Sequence, residues 1–403
     1  MKTVFKYLFV LVSLIVTYLF FGAGAYLMPD KAVHHHVKQT LEHGDLCSDQ
    51  PRAVLPSLLQ TRMDNYTDAI ILNQADVMRV EGFSAGVLSV PRWWAPLLPF
   101  EVLRAGVDGQ QMEIRHYARY WHGNTFLTRY LLAFCDYVNI RFLLYIVSSM
   151  LLVWCGTLLC RKSGWQTVAA VMFGLFVCYA FVMQFSMQFA MVLILTLAGM
   201  IAIANARKSL MPFFVIGSLV CFFDLLTAPM LTLGMMLVVH IALMSDREMW
   251  QGWKQGIYSV LLWTIGYAGT WVAKWIIATL FTSENVIHEG IENIINRSGV
   301  DDFSRWDAVM VNIDLLPWKY IVVAVLAVAF LAIIWFNVKG WRRAVQLLPI
   351  AVLPWVWYFL AANHSYWHSW FTFRAQAVSV AAIILALMQM VDWKRIKIVQ
   401  RTN

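Results

Sequence analysis

Long apolar runs separated by short polar segments dominate the chain. A run of about 17–25 apolar residues can cross the hydrocarbon core of a bilayer as one helix. About ten such runs occur, and we therefore predict about ten membrane-spanning helices. They cover approximately residues 5–27, 141–160, 165–183, 187–205, 211–226, 229–244, 257–281, 319–338, 345–362 and 376–391.

Positive charges follow alternate runs. These clusters are Arg161-Lys162, Arg207-Lys208, Arg247 with Lys254, Lys339 with Arg342 and Arg343, and Lys394-Arg395. Because Lys and Arg are retained on the cytoplasmic side of a membrane, we predict that both termini are cytoplasmic. The same bias accounts for the net charge of +8. We therefore expect the membrane as a partner and no nucleic acid.

The composition agrees with this pattern. Of 403 residues, 60% are hydrophobic and 13% are charged, whereas a soluble domain carries about 25% charged residues. A soluble domain, a disordered chain and a coiled coil are excluded. The fold class predicted is an all-α polytopic membrane protein, with residues 1–403 forming a single integral-membrane domain. The first run is too long for a signal peptide, so we expect an uncleaved span.

Two long segments are predicted on the external face, at residues 29–139 and 282–318. In the first, residues 54–80 suggest amphipathic helices lying at the membrane surface. Residues 87–102 are rich in Pro and Trp and suggest an irregular turn that grazes the membrane, and residues 112–134 again show a helical, aromatic pattern.

The six cysteines show no CxxC spacing, so a metal knuckle is not expected. Cys47 and Cys135 both fall in the first external segment, where a disulfide between them is one alternative and two free thiols the other. The remaining cysteines lie in or beside apolar runs, as small apolar residues do.

Asp64 and Asp68 lie four residues apart in Arg62-Met63-Asp64-Asn65-Tyr66-Thr67-Asp68. On a helix they would share one face, where like charges repel. One interpretation makes one of them a general base for a hydroxyl, or makes both the ligands of a divalent cation. The other interpretation is that Asp64 caps a helix and Asp68 is solvated. No other cofactor is predicted.

Arg119 and His122 belong to an aromatic, cationic segment, Arg115-His116-Tyr117-Ala118-Arg119-Tyr120-Trp121-His122. A helix would bring Arg115, Arg119 and His122 near one face, where the cations could grip a phosphate and a ring could stack on a sugar. The alternative is an aromatic belt at the headgroups with snorkelling arginines.

Asp224 and Lys274 are ionisable groups at predicted membrane depth. Such groups are costly unless they are paired or reached by water, and they often mark functional sites. Asp224 precedes Pro229 between two short runs, which form either a tight hairpin or a broken helix lining a cavity. Lys274 could bind a lipid phosphate. The alternatives are a cap at Asp224, and an ion pair of Asp224 with Lys274 or Arg374.

The densest polar cluster is Asn363-His364-Ser365-Tyr366-Trp367-His368-Ser369-Trp370-Phe371-Thr372-Phe373-Arg374. We predict that Arg374 and one of His364 and His368 bind a phosphate or pyrophosphate. A zinc site is disfavoured because the Glu of an HExxH motif is missing. The alternative is an aromatic interfacial turn. By contrast, Asn296-Arg297-Ser298 is noted only as a glycosylation sequon, which arises often by chance.

These clusters share the external boundary of the membrane. That organisation resembles the multi-spanning glycosyltransferases of the GT-C superfamily, which have a cytoplasmic start, a long first external loop with acidic residues, and many spans. The segments 223–229 and 368–374 also resemble those of bacterial membrane proteins encoded near surface-polysaccharide genes. The likeness covers most of the chain, but it is architectural. The acidic motif of the superfamily lies closer to the first span than Asp64 does.

The resemblance implies transfer of a sugar from a polyprenyl-phosphate donor to an envelope glycan or lipid acceptor, on the external face of the bacterial inner membrane. Asp64 or Asp68 would be the catalytic base. Arg119, His122, Asp224, Lys274, His364, His368 and Arg374 would bind substrate or phosphate. The alternatives are a transporter or flippase of a lipid-linked glycan, a polymerase or ligase of such glycans, and an envelope scaffold.

Overall fold

A computed structural model describes residues 2–46, 52–206, 209–244 and 252–396. Apart from a single two-stranded ribbon, the regular secondary structure of this described part is helical. The α-helices are α1 (Lys2–Tyr26), α2 (Asp30–Glu42), α3 (Asn65–Val77), α4 (Pro99–Val107), α5 (Gly123–Leu132), α6 (Tyr137–Ser163), α7 (Trp165–Val177), α8 (Met187–Asn205), α9 (Met211–Phe223), α10 (Pro229–Leu243), α11 (Gly252–Phe281), α12 (Val286–Ser298), α13 (Arg305–Asp314), α14 (Trp318–Ile334), α15 (Trp341–Leu360), α16 (Ala362–Trp367), α17 (Ser369–Thr372) and α18 (Ala377–Gln389).

Shorter elements connect these helices. The ribbon pairs β1 (Arg92–Trp94) with β2 (Glu113–Arg115) in antiparallel register. One π-helical turn occurs at Ala85–Ser89. Three 3₁₀ turns occur at Leu59–Thr61, Ala180–Phe185 and Phe373–Gln376.

Six helices of the described residues are long and apolar enough to cross a membrane, or seven if the bent pair α13–α14 counts as one span. The chain is therefore an α-helical, multi-pass membrane protein. The six are Val4–Tyr26, Tyr137–Ser163, Met187–Asn205, Gly252–Phe281, Trp341–Leu360 and Ser369–Gln389.

The prediction of about ten spans is confirmed only in part. Helices form at the other four predicted runs, but they are shorter: α7 and α9 have 13 residues, α10 has 15 and α14 has 17. At 1.5 Å per residue, a helix of 13 residues extends only about 20 Å, less than the hydrocarbon thickness of about 30 Å. The orientation of the chain stays a prediction.

Helices α8 and α18 form the centre of the bundle. In each, 83% of the apolar span is buried inside the protein, against 22% in α1 and in α6. Helices α6 and α10 pack on α8, while α7 and α15 pack on α18. A helix that is apolar on all sides belongs inside a bundle, and the outer helices turn their apolar surface to lipid.

Helices α9 and α11 cross at two glycines. A Cβ atom on Gly217 would lie 2.2 Å from the carbonyl oxygen of Trp263, and one on Gly266 would lie 2.1 Å from that of Phe214. The two backbones therefore touch directly, as small residues allow between membrane helices.

The first external segment differs from its prediction. Helix α3 is mostly buried rather than lying at the surface, since Asn65, Asp68, Asn73 and Gln74 are all less than 9% exposed. Its polar residues find partners inside the protein, a tertiary effect that a helical periodicity does not reveal.

The helix predicted over residues 112–134 begins only at Gly123. Its first part forms β2, which pairs with β1 in the stretch expected to be irregular. Arg115, Arg119 and His122 therefore do not share a helical face, and that prediction was wrong.

Arg129 joins α1, α2, α3 and α5. This fully buried side chain donates to the carbonyl oxygens of Ala25 (2.9 Å), Met28 (3.2 Å) and Ala75, and pairs with Asp30. One guanidinium thus donates to three backbone carbonyl oxygens where these helices meet.

We expect Arg129→Met to lower the free energy of unfolding by about 3 kcal/mol, since it removes the donor to three backbone carbonyl oxygens and the partner of Asp30. Thermal unfolding in detergent measures this. The control Arg104→Met changes an exposed cation of α4 that stacks on Phe100 and should cost about 0.5 kcal/mol or less. Equal losses in the two variants would contradict the role given to Arg129.

Candidate functional site

Two predicted carboxylates meet at the N-terminus of α8. The backbone N–H of Asp64 donates to the hydroxyl of Ser186 over 2.8 Å. The Asp68 carboxylate accepts the N–H of Met187 over 3.0 Å. The first N–H groups of a helix have no partner within it and carry a partial positive charge, so the N-terminus of α8 stabilises the Asp68 carboxylate of α3.

Asp224 completes this group, and we call Asp64, Asp68 and Asp224 the carboxylate cluster. Asp224 follows the last residue of α9, and its Oδ1 accepts from the side chain of Gln188 and from the N–H of Thr227, both over 2.9 Å. Its Oδ2 is buried without a hydrogen-bond partner among the described residues. One oxygen of Asp224 thus remains available in the protein interior.

Burial dominates the electrostatics of α3. Burial and the neighbouring charge of Asp64 raise the pKa of Asp68 to about 7, which suits a group that takes up a proton near neutral pH. Burial also raises the pKa of Asp64. Asp64 also caps α3, since it accepts from the N–H of Thr67 (2.9 Å). Asp68 accepts in addition from the hydroxyl of Tyr137 (2.8 Å).

Arg374 lies beside the carboxylate cluster. It is 1% exposed and interacts electrostatically with Asp64. Its Nη2 donates to the carbonyl oxygens of Gln60 (3.0 Å) and Arg62 (3.2 Å), and its Nη1 donates to that of Trp370 (3.2 Å). The guanidinium therefore fixes the chain that leads into α3.

A cavity of about 330 Å³ lies among α11, α12 and the end of α15. We call it the arginine cavity, because Arg119 and Arg297 supply its cations and the rest of its wall is mainly aromatic and aliphatic. Its lining residues are Arg119, Tyr120, Leu226, Tyr267, Ala268, Trp271, Val272, Trp275, Gly290, Asn293, Ile294, Arg297, Ser298, Trp357, Leu360 and Ala361.

Two predicted histidines hold Arg297. Its Nη1 lies 3.3 Å from His364 Nδ1 and 3.1 Å from His368 Nε2. Because arginine only donates, both nitrogens must be unprotonated acceptors. His364 carries its proton on Nε2 and donates to the carbonyl oxygen of Leu226 over 2.7 Å. No ion pair joins Arg297 to a carboxylate in the described part of the chain, so its positive charge is not neutralised.

The surroundings keep these imidazoles neutral. Burial and the charge of Arg297 lower the pKa of His368 to about 4. Burial, His368 and Arg297 together lower the pKa of His364 well below its ordinary value. Neutral rings accept from Arg297 without repelling it.

Arg119, the other arginine of the cavity, is held by an ion pair and by an aromatic ring. Its Nη1 pairs with Glu289 of α12 over 2.5 Å, and its guanidinium lies 4.3 Å from the ring centroid of Tyr117. Helix α12 thus provides both Arg297 and the partner of Arg119.

The carboxylate cluster and the arginine cavity meet at the turn between α9 and α10. Asp224 belongs to the cluster, whereas Leu226 lines the cavity and accepts from His364. Tyr267, another lining residue, interacts electrostatically with Asp224. Among the three carboxylates of the cluster, Asp224 therefore interacts with a residue of the cavity wall.

Lys274 and His122 lie outside the cavity lining. The Lys274 amine donates to the carbonyl oxygen of Leu88 (2.6 Å) and lies 5.4 Å from the Trp121 ring centroid. It makes no ion pair with Asp224, so that alternative was wrong. His122 immediately precedes α5, with φ 59°, and donates to the carbonyl oxygen of Tyr117 over 2.7 Å. Burial, with the nearby charges of Lys274 and Arg119, lowers its pKa to about 3.

Of the predicted site residues, Arg119 lines the cavity, His364 and His368 position its second arginine, and Asp224 borders it. Arg297 was missed because its segment matched only a sequon. The isoleucines at 287, 291 and 294 were the signal that could have found it, since they give α12 a helical period ending in a cation. Cys47 lies outside the described residues, so its disulfide stays untested.

In the described ranges, no group of three or more His, Cys, Asp or Glu side chains could hold a metal ion. Comparisons with protein families, curated proteins and solved structures gave no match for this chain. Function must therefore be argued from the site itself.

We expect acid to weaken the protein through His368. The folded protein keeps this ring neutral down to about pH 4, whereas the unfolded chain protonates near its ordinary value of about 6.5. This contribution to stability is complete above pH 6.5 and is lost as the pH falls towards 4. Thermal unfolding at pH 7 and pH 5 should show a larger loss for the wild type than for His368→Gln. Equal losses would contradict the neutral acceptor role of His368.

Proposed function

We propose that the protein is a membrane glycosyltransferase that binds a polyprenyl-phosphate sugar in the arginine cavity and transfers the sugar to a hydroxyl of a glycan or lipid acceptor. The observation that carries this proposal is a cavity with two arginines in an otherwise largely apolar, aromatic wall. A lipid-linked sugar phosphate combines the same properties, since it has an anion, a sugar ring and a hydrocarbon chain.

The two arginines match a phosphate. Guanidinium groups bind phosphate oxygens through paired, charge-assisted hydrogen bonds. Arg297 brings a charge that no carboxylate neutralises in the described residues, and Arg119 lies across the same cavity. In a largely apolar wall such charges act more strongly than in water.

The apolar wall matches the lipid. Val272 of α11 and Leu360 of α15 line the cavity and are 49% and 57% exposed at the protein surface. Both helices are long enough to span the membrane. The cavity therefore opens between two candidate spans, where a hydrocarbon chain can remain in the bilayer while the phosphate meets the arginines.

The reaction needs a base and a stabilised leaving group. The base removes the proton of the acceptor hydroxyl, whose oxygen forms a new bond to the anomeric carbon. The bond from that carbon to the phosphate oxygen breaks, and the lipid phosphate leaves with the electron pair. Arg119 and Arg297 would stabilise its charge, and a single displacement inverts the anomeric configuration.

Among the carboxylates, Asp224 is our first choice as the base. Its Oδ2 is unpartnered among the described residues. Asp224 also lies two positions before Leu226 and interacts electrostatically with Tyr267, and both of these residues line the cavity. The earlier assignment to Asp64 or Asp68 remains a prediction. It is supported by the pKa of about 7 that burial and Asp64 give to Asp68.

We expect Arg297→Gln to lower kcat/KM for transfer from a polyprenyl-phosphate sugar by about 10²–10³-fold, since one donor to the leaving phosphate is lost. Arg119→Gln should act in the same direction. Lys319→Gln, which changes an exposed cation at the start of α14, is the control and should leave the rate unchanged. Transfer in proteoliposomes measures this. Wild-type rates in both arginine variants would exclude the cavity as the donor site.

We expect Asp224→Asn to lower kcat by about 10²–10⁴-fold, as the loss of a general base does, while donor binding persists. Asp64→Asn and Asp68→Asn are measured beside it, with thermal unfolding as the check on folding. A loss confined to Asp68→Asn would assign the base to Asp68 instead. Full activity in all three variants would refute general-base catalysis by this cluster.

A further inference from the structure

The outward face of the β-ribbon concentrates positive charge. In the register of the two strands, Arg92 lies directly opposite Arg115 and Trp94 lies opposite Glu113. These four side chains share one face, because alternate residues of a strand point the same way. Like charges directly opposite each other destabilise a strand pair, so the position of Arg92 calls for a compensating anion.

A third arginine joins this pair through Tyr117. The guanidinium carbons of Arg92 and Arg119 lie 5.2 Å and 4.3 Å from the Tyr117 ring centroid. Arg92 also senses the charges of both Arg115 and Arg119. We call Arg92, Trp94, Arg115, Tyr117 and Arg119 the ribbon cluster.

The protein neutralises this cluster incompletely. Glu113 pairs with Arg115 over 2.7 Å, and Glu289 pairs with Arg119 over 2.5 Å. No ion pair joins Arg92 to a carboxylate in the described ranges. In the same ranges, the Nε atoms of Arg92 and Arg119 are buried without a hydrogen-bond partner. Buried donors of this kind normally have an acceptor, which a ligand oxygen would supply.

Hydrogen bonds and packing fix the position of the ribbon. The side chain of Asn73 bonds to both backbone groups of Trp93, donating to its carbonyl oxygen over 3.1 Å and accepting from its N–H over 2.9 Å. The Trp93 ring packs against Gly106 of α4, where a Cβ atom would come within 2.2 Å of it. One face of β1 is thus anchored to α3 and α4, and the opposite face is left for a ligand.

We propose that the ribbon cluster is a binding site for an anionic glycan, a sugar chain carrying carboxylate or phosphate groups. The guanidinium groups would hold the acid oxygens in pairs, and the Trp94 ring would stack on the apolar face of a sugar. The guanidinium carbon of Arg115 lies 3.1 Å from the Trp94 ring centroid, so the positive charge and the ring are already in contact. The exposed segment 108–111 before β2 is polar, Asp-Gly-Gln-Gln, which favours a water-borne glycan over lipid.

This inference deepens the proposed function without requiring it. Arg119 belongs to both the ribbon cluster and the arginine cavity, so a glycan on the ribbon would lie beside the donor and serve as its acceptor. The acceptor would then be acidic. Binding can be measured without any transfer, so the failure of either idea can be told from the failure of the other.

The test uses the full chain in nanodiscs of phosphatidylcholine. The probes are an oligogalacturonate and a neutral maltooligosaccharide of equal length, with titration calorimetry as the measurement. We expect the oligogalacturonate to bind and its affinity to fall at high salt, and we expect no binding of the neutral sugar. Arg92→Gln should weaken binding about tenfold or more, as the loss of a charge-assisted hydrogen bond does. Arg104→Gln, an exposed arginine of the same external segment, should not change it.

Several outcomes would overturn the proposal. They are equal binding of the neutral sugar, no binding of the oligogalacturonate, and equal losses in Arg92→Gln and Arg104→Gln. Nanodiscs containing phosphatidylglycerol form the lipid arm. If these anionic headgroups abolish oligogalacturonate binding in the wild type, the cluster is a headgroup site instead. Retention of the proper fold in Arg92→Gln is checked by its thermal unfolding.

Discussion

The capping of α8 by a buried carboxylate is the interaction on which the arrangement depends. Helix α8 lies at the centre of the bundle, and its first N–H groups have no partner within the helix. Asp68 provides one through its contact with the N–H of Met187. Since Asp68 belongs to the long segment between α1 and α6, this bond fixes α3 against the membrane bundle. Asp64 is thereby placed beside Arg374, and Gln188 at the same helix end is placed on Asp224.

A second constraint concerns the charge of Arg297. A buried or half-buried cation usually recruits a carboxylate, yet here two neutral imidazoles accept from it. The site therefore keeps a net positive charge beside an apolar wall. The same logic applies to the ribbon, where three arginines outnumber two glutamates. Charges left uncompensated within the protein are where an anionic partner gains the most.

Sequence patterns succeeded where one physical rule dominates. Apolar length predicted the six long helices. Charge at predicted membrane depth directed attention to Asp224, and the dense polar cluster at residues 363–374 directed attention to His364 and His368. The sequence patterns failed where contacts between distant parts of the chain determine the secondary structure or the partner of a side chain. Residues 113–115 were predicted to be helical, but they pair as a strand with residues 92–94, which lie more than 15 residues away in the chain. Lys274 was expected to meet Asp224, but it bonds instead to a backbone carbonyl of Leu88.

The sequence by itself determined the class of protein, because hydrophobic length and charge are properties of each segment alone. It also identified Arg119, which lines the cavity, and His364 and His368, which contact Arg297, but it did not identify Arg297 itself. Only the tertiary structure decided which of them act together. Arg297 and Arg119 are far apart in the chain and line one cavity only because α12 packs on α11 and pairs with Arg119 through Glu289. Burial, which sets the state of Asp68 and His368, likewise exists only once the helices have packed.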